Sequence, residues 1–205
     1  MNFFEIFDKA YCINLDKRKD RLLNFELQVK KYNLGPYARF RAFDGFKMPT
    51  NLDKGNAGLI KSVIAVLKEC LDEGTSKVLI LEDDCEFKED IINIYEYFKY
   101  VPSDWDMVYF GGNHNIHIGK EPPKRINEKI AKLHYTFTTH CIAIKRHMFE
   151  PIIQKIGNYE SPIDVAYQQF QQTHNVYGFY PSLVKQASGF SDIRGQHVDY
   201  DWLIT

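Results

Sequence analysis

Apolar and polar positions fall in blocks along the chain, and the period changes from block to block. Residues 10–15 form a short apolar, β-prone run that breaks into the polar turn 16–21. Leu22, Phe25, Val29 and Tyr32 then recur at helical spacing, which predicts a helix over 18–32 with Asp16 as its candidate cap and 33–36 as its stop. A second strand is expected over 37–43, ending at Asp44-Gly45. The next helix carries Ile60, Val63, Ile64, Leu67 and Leu71 and closes at Gly74. The clearest strand is 77–81, a continuous apolar run of the kind covered by helices on both faces; it ends on Glu82, Asp83 and Asp84.

Downstream, a helix is expected over 90–100 and a strand over 106–110, followed by Gly111-Gly112. The segment 114–127 holds Pro122 and Pro123 without periodicity and reads as a long surface loop. A loosely alternating strand covers 133–144, helices cover 148–156 and 164–172, and 188–205 reads as an irregular tail wrapped over the domain. Alternating strands and helices predict an α/β fold: one domain over 1–205, with a mostly parallel central sheet and helices on both faces. Ligands of such sheets bind beyond the carboxyl ends of the strands.

Composition narrows the function. With 205 residues and 44% hydrophobic content the chain can build a substantial core. A formal net charge of −1 supplies no broad attraction for nucleic acid, which is therefore not an expected partner. No stretch reaches the roughly 18–20 apolar residues of a membrane span, and residues 1–8 lack the regions of a signal peptide. A cytoplasmic protein is expected, with any membrane contact peripheral. Cys12, Cys70, Cys85 and Cys141 are widely spaced in apolar segments and read as buried, reduced thiols.

The residues with chemistry admit two readings each. Three successive carboxylates at Glu82, Asp83 and Asp84 repel unless solvated or neutralised, and a hard cation such as Mn²⁺ or Mg²⁺ is a natural neutraliser. The same triplet also suits an acidic turn that starts a helix. Arg18 and Arg21 suit phosphate, or a solvated first helical turn. Asp44-Gly45 suits a turn, and Gly55 and Gly58 suit either close backbone approach to a ligand or an ordinary loop before a helix. Asp164 suits a general base or a favourable first-turn acid. Trp105, Tyr109 and Trp202 suit stacking on a sugar or base, with core packing the alternative for the first two, and His140 reads as a strand residue.

The order of several short segments resembles glycosyltransferase family 25, which includes lipooligosaccharide galactosyltransferases and collagen galactosyltransferase domains. The likeness rests on Ile13-Asn14-Leu15 with Arg18 and Asp20-Arg21, then residues 41–45, then 55–58 with Ser62, then 79–84. Residues 105–111, 162–164 and 181–184 with Gln186, Ser191 and Asp192 continue it. The chain departs from the family pattern at Leu59 and Val63. The resemblance implies a GT-A (Rossmann-like) fold and transfer of galactose or another hexose from a UDP-linked nucleotide-sugar to a glycan or glycoconjugate acceptor, with inversion. It implies Asp84 as the direct metal ligand, with Glu82 beside it and His197 completing the set; Glu82 or Asp83 would also contact the donor sugar, ribose or metal-bound water. Asn14, Leu15, Arg18, Ala42 and Asp44 would surround the nucleoside, Gly58 and Ser62 would lie on the donor side, and Asp164 would be the base, with Asp106 as a second candidate. A non-catalytic nucleotide- or glycan-binding domain and a metal-dependent nucleotidyltransferase stand as the alternatives.

Overall fold

A computed structural model of the chain describes residues 2–49, 51–114, 122–191 and 196–199. Along the chain the strands are β1 (Lys9–Asn14), β2 (Ala38–Arg41), β3 (Lys77–Glu82), β4 (Cys85–Phe87), β5 (Met107–Tyr109), β6 (Lys124–Arg125), β7 (Ile130–Lys132), β8 (Cys141–Lys145), β9 (Val176–Phe179), β10 (Val184–Gln186), β11 (Gly189–Ser191) and β12 (Gln196–Val198). The α-helices are α1 (Lys19–Tyr32), α2 (Lys54–Asp72), α3 (Ile94–Tyr97), α4 (Phe149–Ile156) and α5 (Ile163–Thr173).

The apolar run 77–81 becomes β3, inside an eight-stranded sheet of order β2-β1-β3-β8-β5-β9-β7-β6. Strands β2, β1, β3, β5, β9 and β6 run one way, and β8 and β7 run against them. The sheet is thus mostly parallel in direction, with one reversed strand inserted beside β3. Successive residues of β3 feed opposite faces, as a pleated strand must. Val78 and Ile80 pack with Ile60, Val66 and Leu67 of α2, Phe149 and Ile152 of α4, and Tyr167 of α5. Leu79 and Leu81 pack with Phe25 of α1, Ile94 of α3, Trp105, and the N-terminal aromatics Phe3, Phe4 and Phe7. The expected α/β layering, with helices on both faces, is therefore present. Trp105 and Tyr109 are core residues, and all four cysteines are buried and unpaired.

Several local expectations change. Helix α1 begins after Arg18 with no side-chain cap, because Asp16 is held instead by Arg39 at 2.7 Å and by Arg41. Helix α2 begins at Lys54, where the Asp53 side chain accepts from Asn56 N at 3.0 Å, so Gly55 and Gly58 lie inside the helix and not in a loop before it. The helix expected over 90–100 is only α3 flanked by 3₁₀ turns. Of the strand expected over 133–144 only the end forms, as β8 from Cys141; Thr138, with φ 66°, a value no strand accommodates, lies in the irregular stretch before it. Of the expected loop 114–127, residues 124–125 form β6 and 115–121 lie outside the described residues. The tail carries the antiparallel pair β11–β12 in place of irregular chain, while Asp192 and Trp202 lie outside the described residues. Among the described residues no helix is long and apolar enough to cross a membrane.

Candidate functional site

Parallel strands β2, β1 and β3 end at one edge of the sheet. Their register sets Asn14 opposite Arg41 and Ile13 opposite Glu82, so the residues that follow the three strands are neighbours. Because β8 is antiparallel, the residues that precede it reach the same edge, where Glu82 N donates to His140 O at 2.8 Å. The first turn of α5 closes the far side. Together these segments line a cleft of about 450 Å³ that includes Leu15, Arg18, Arg21, Ala42, Asp44, Glu82, Asp83, Asp84, Thr138 and Asp164.

The three acids have different environments. Glu82 Oε1 accepts from Thr139 Oγ1 at 2.8 Å, and burial, reinforced by the Asp84 charge, pushes its pKa up to about 8. Asp83 Oδ2 accepts from Asn14 Nδ2 at 2.6 Å; burial and Asp84 raise Asp83 to about 6 against the opposing pull of Arg21 and Asn14. Arg21 Nη1 lies 3.0 Å from Asp83 Oδ1 and 3.0 Å from Asp84 Oδ2. Burial works against the Arg21 charge, but Asp84 and Asp83 outweigh it and raise the guanidinium pKa. Asp84 Oδ2 also accepts from Gln186 Nε2 at 3.1 Å, and its carbonyl accepts from Ala187 N at 2.8 Å, which ties the acid turn to β10. Asp84 Oδ1 is buried with no hydrogen-bond partner among the described residues. Asn14 is itself fixed by Arg39 Nε, 2.9 Å from its Oδ1.

Other expected residues divide between the cleft and its support. Leu15, Ala42 and Arg18 line the cleft, with Arg18 paired to Asp20 at 2.9 Å. Asp44 lines it too and accepts from Phe46 N at 3.2 Å, starting a 3₁₀ turn. Ser62 is fully buried; its hydroxyl donates to Gly58 O at 2.7 Å and accepts from Phe43 N at 3.0 Å. Gly58 is required by packing, since a Cβ there would lie 2.4 Å from Phe43 O. Both therefore brace the 43–45 wall from behind. Asp164 Oδ1 accepts from Val165 N at 2.8 Å, and Oδ2 lies 3.4 Å from Thr138 N. Asp106 precedes β5 at the opposite edge of the sheet, bound by Asn175 N at 2.7 Å and 2.7 Å from His147 Nε2; it is not part of the cleft. His197 is exposed on β12 opposite Phe190 and does not line the cleft. Thr139 and the exposed aromatic Phe46 join the site without a sequence signal, because their partners are distant along the chain or solvent-facing.

Among the described residues no group of three His, Cys, Asp or Glu side chains is placed to hold a metal. Magnesium-type sites do not need one: one or two carboxylates suffice when water and phosphate oxygens fill the remaining positions. The unpartnered Asp84 Oδ1 beside Glu82 fits such a set, being hard oxygen chemistry with one donor unused.

No family model matches the chain. Over 164 residues, 67% of this chain and 26% of the relative, it is 27% identical to procollagen galactosyltransferase 2 of Mus musculus. It is 27% identical over 144 residues, 58% of this chain and 23% of the relative, to procollagen galactosyltransferase 2 of Homo sapiens. The likeness is to glycosyltransferases. The chain spans about a quarter of the length of these curated relatives. Among solved structures, A197 from STIV shares the fold, with a TM-score of 0.50 at 13% identity over 96% of each chain.

Proposed function

We propose that the chain is a metal-dependent glycosyltransferase that moves a hexose from a UDP-linked sugar to a hydroxyl of a glycan or glycoconjugate, with inversion. The observation that carries the reading is Asp84 Oδ1, a buried carboxylate oxygen with no hydrogen-bond partner among the described residues, in a cleft that also holds Arg18, Arg21 and Asp164. Asp84 and Glu82 would hold Mn²⁺ or Mg²⁺, which supplies Lewis-acid neutralisation of the departing diphosphate. Leu15, Ala42 and Asp44 line the cleft and would receive the nucleoside, and Arg18 and Arg21, which line it too, would bind phosphate. Asp164, which lines the cleft with its Oδ1 held by Val165 N at 2.8 Å, takes the proton of the acceptor hydroxyl. His197 is left out of the ligand set on the strength of its exposed place on β12.

The test is release of UDP from UDP-galactose, with and without acceptor, in Mn²⁺. D84N and D164N, each shown to be folded by circular dichroism, are expected to lose about 10²-fold or more in transfer, in line with removing a positioned acid or base. Wild-type transfer rates in both variants would sink the mechanism. Mn²⁺-stimulated donor hydrolysis by the wild type would separate it from a pure binding module.

A further inference from the structure

The acids after β3 already hold a cation. Arg21 Nη1 bridges Asp83 Oδ1 and Asp84 Oδ2, each at 3.0 Å, and both carboxyl groups are 8% exposed. A divalent ion held by Asp84 and Glu82 would sit within a few ångströms of the guanidinium bound to Asp84 Oδ2, and two cations so close in a buried setting repel strongly. The carboxylates do not depend on Arg21 for their position. Asn14 holds Asp83 at 2.6 Å, and Gln186 holds Asp84 at 3.1 Å. Asp84 Oδ1 stands outside the Arg21 bridge, buried and unpartnered, as a foothold the guanidinium does not use. Arg21 itself lines the cleft in which a diphosphate would lie.

We infer that Arg21 is an exchangeable countercharge: it neutralises Asp83 and Asp84 in the ligand-free protein and passes to the donor's diphosphate when a divalent cation binds at Asp84 and Glu82. The inference rests on the acid cluster being the cation–diphosphate site proposed above. A guanidinium loses little in the exchange, since phosphate offers it charge-assisted bonds as good as those from carboxylate. Neither ligand alone completes it. The cation alone must displace Arg21 without giving it a new anion, and the diphosphate alone must draw Arg21 from acids left unneutralised. Cation and nucleoside diphosphate therefore bind together strongly and singly with low affinity.

Isothermal titration of the full chain with MnCl₂, with UDP, and with UDP in saturating MnCl₂ tests this, using wild type, D84N, R21Q and the double variant R21Q/D83N. In the wild type, saturating UDP should tighten Mn²⁺ binding about tenfold or more, and Mn²⁺ should tighten UDP binding by the same factor. In R21Q, Mn²⁺ alone should bind about tenfold more tightly than to the wild type, with the mutual enhancement reduced to about threefold or less. R21Q/D83N removes one acid with the cation, so it leaves fewer unpaired charges; it should lose the enhancement likewise, and it carries the test if R21Q does not fold. If D84N loses Mn²⁺ binding yet R21Q or the double variant keeps the wild-type enhancement, Arg21 is not exchanged and this inference fails while the site reading stands. If the wild type binds neither Mn²⁺ nor UDP even when both are present, or D84N binds Mn²⁺ as the wild type does, the site reading falls and takes the inference with it.

Discussion

Glu82 carries a pH dependence whose sign follows from its surroundings. Burial, with Asp84 adding, holds its pKa at about 8, well above the ordinary carboxylate range, so the folded protein binds this proton more tightly than the unfolded chain does. Stability is then lost as pH rises from the ordinary carboxylate range toward about 8, with Asp83 contributing over the lower part of that span, up to about 6. Thermal melts between pH 5 and pH 8 should show a falling midpoint in the wild type and a flatter profile in E82Q; an unchanged slope in E82Q would remove Glu82 as its source. At the same scale, Ser62→Ala should cost about 1–2 kcal/mol, because Phe43 N loses its hydroxyl acceptor. Urea unfolding measures that loss. The acid triplet was legible in the sequence as a candidate site, but the distinct states of its members were not: those depend on Arg21, Asn14, Thr139 and Gln186, which reach the triplet through the fold.

At the level of elements, strand and helix types were readable wherever an apolar run or helical stripe was long, as in β3 and α2. Boundaries failed where a single residue decided them. Asp53 caps α2 several residues earlier than its apolar stripe suggests, and the φ of 66° at Thr138 keeps the residues just before β8 out of the strand. The early start of α2 matters for the site, since it brings Gly58 against the 43–45 turn that bears Asp44. Gly58→Ala would press a methyl group onto Phe43 O and is expected to destabilise the protein by about 1–3 kcal/mol. The displaced wall should also weaken UDP binding; titration with UDP in Mn²⁺ would show it, and unaltered affinity would separate α2 packing from the nucleoside side of the cleft. Asp53→Ala should cost about 1 kcal/mol through loss of the cap, again read by urea unfolding.

At the scale of the whole molecule, both apolar clusters share the central sheet, and neither can lose its packing without exposing the other's strands. A single cooperative thermal transition is expected, checked by agreement of calorimetric and van't Hoff enthalpies. Under the proposed function, UDP with Mn²⁺ at about a hundred times its Kd should raise the midpoint by on the order of 5–10 °C. No shift at saturation would count against binding at this cleft. The global α/β layering was readable from the alternation of segments, whereas the reversal of β8 was not, because strand direction leaves no trace in local periodicity.

That reversal divides the cleft into two banks built from different segments of the chain. Residues that trail β1, β2 and β3 build one bank, and residues that lead into β8 and α5 build the other, from stretches 137–139 and 162–165 that share no sequence with the first. Under the proposed function, substitutions in the second bank that spare Thr139 and Asp164 should alter which acceptor is taken while leaving the residues of the first bank in place.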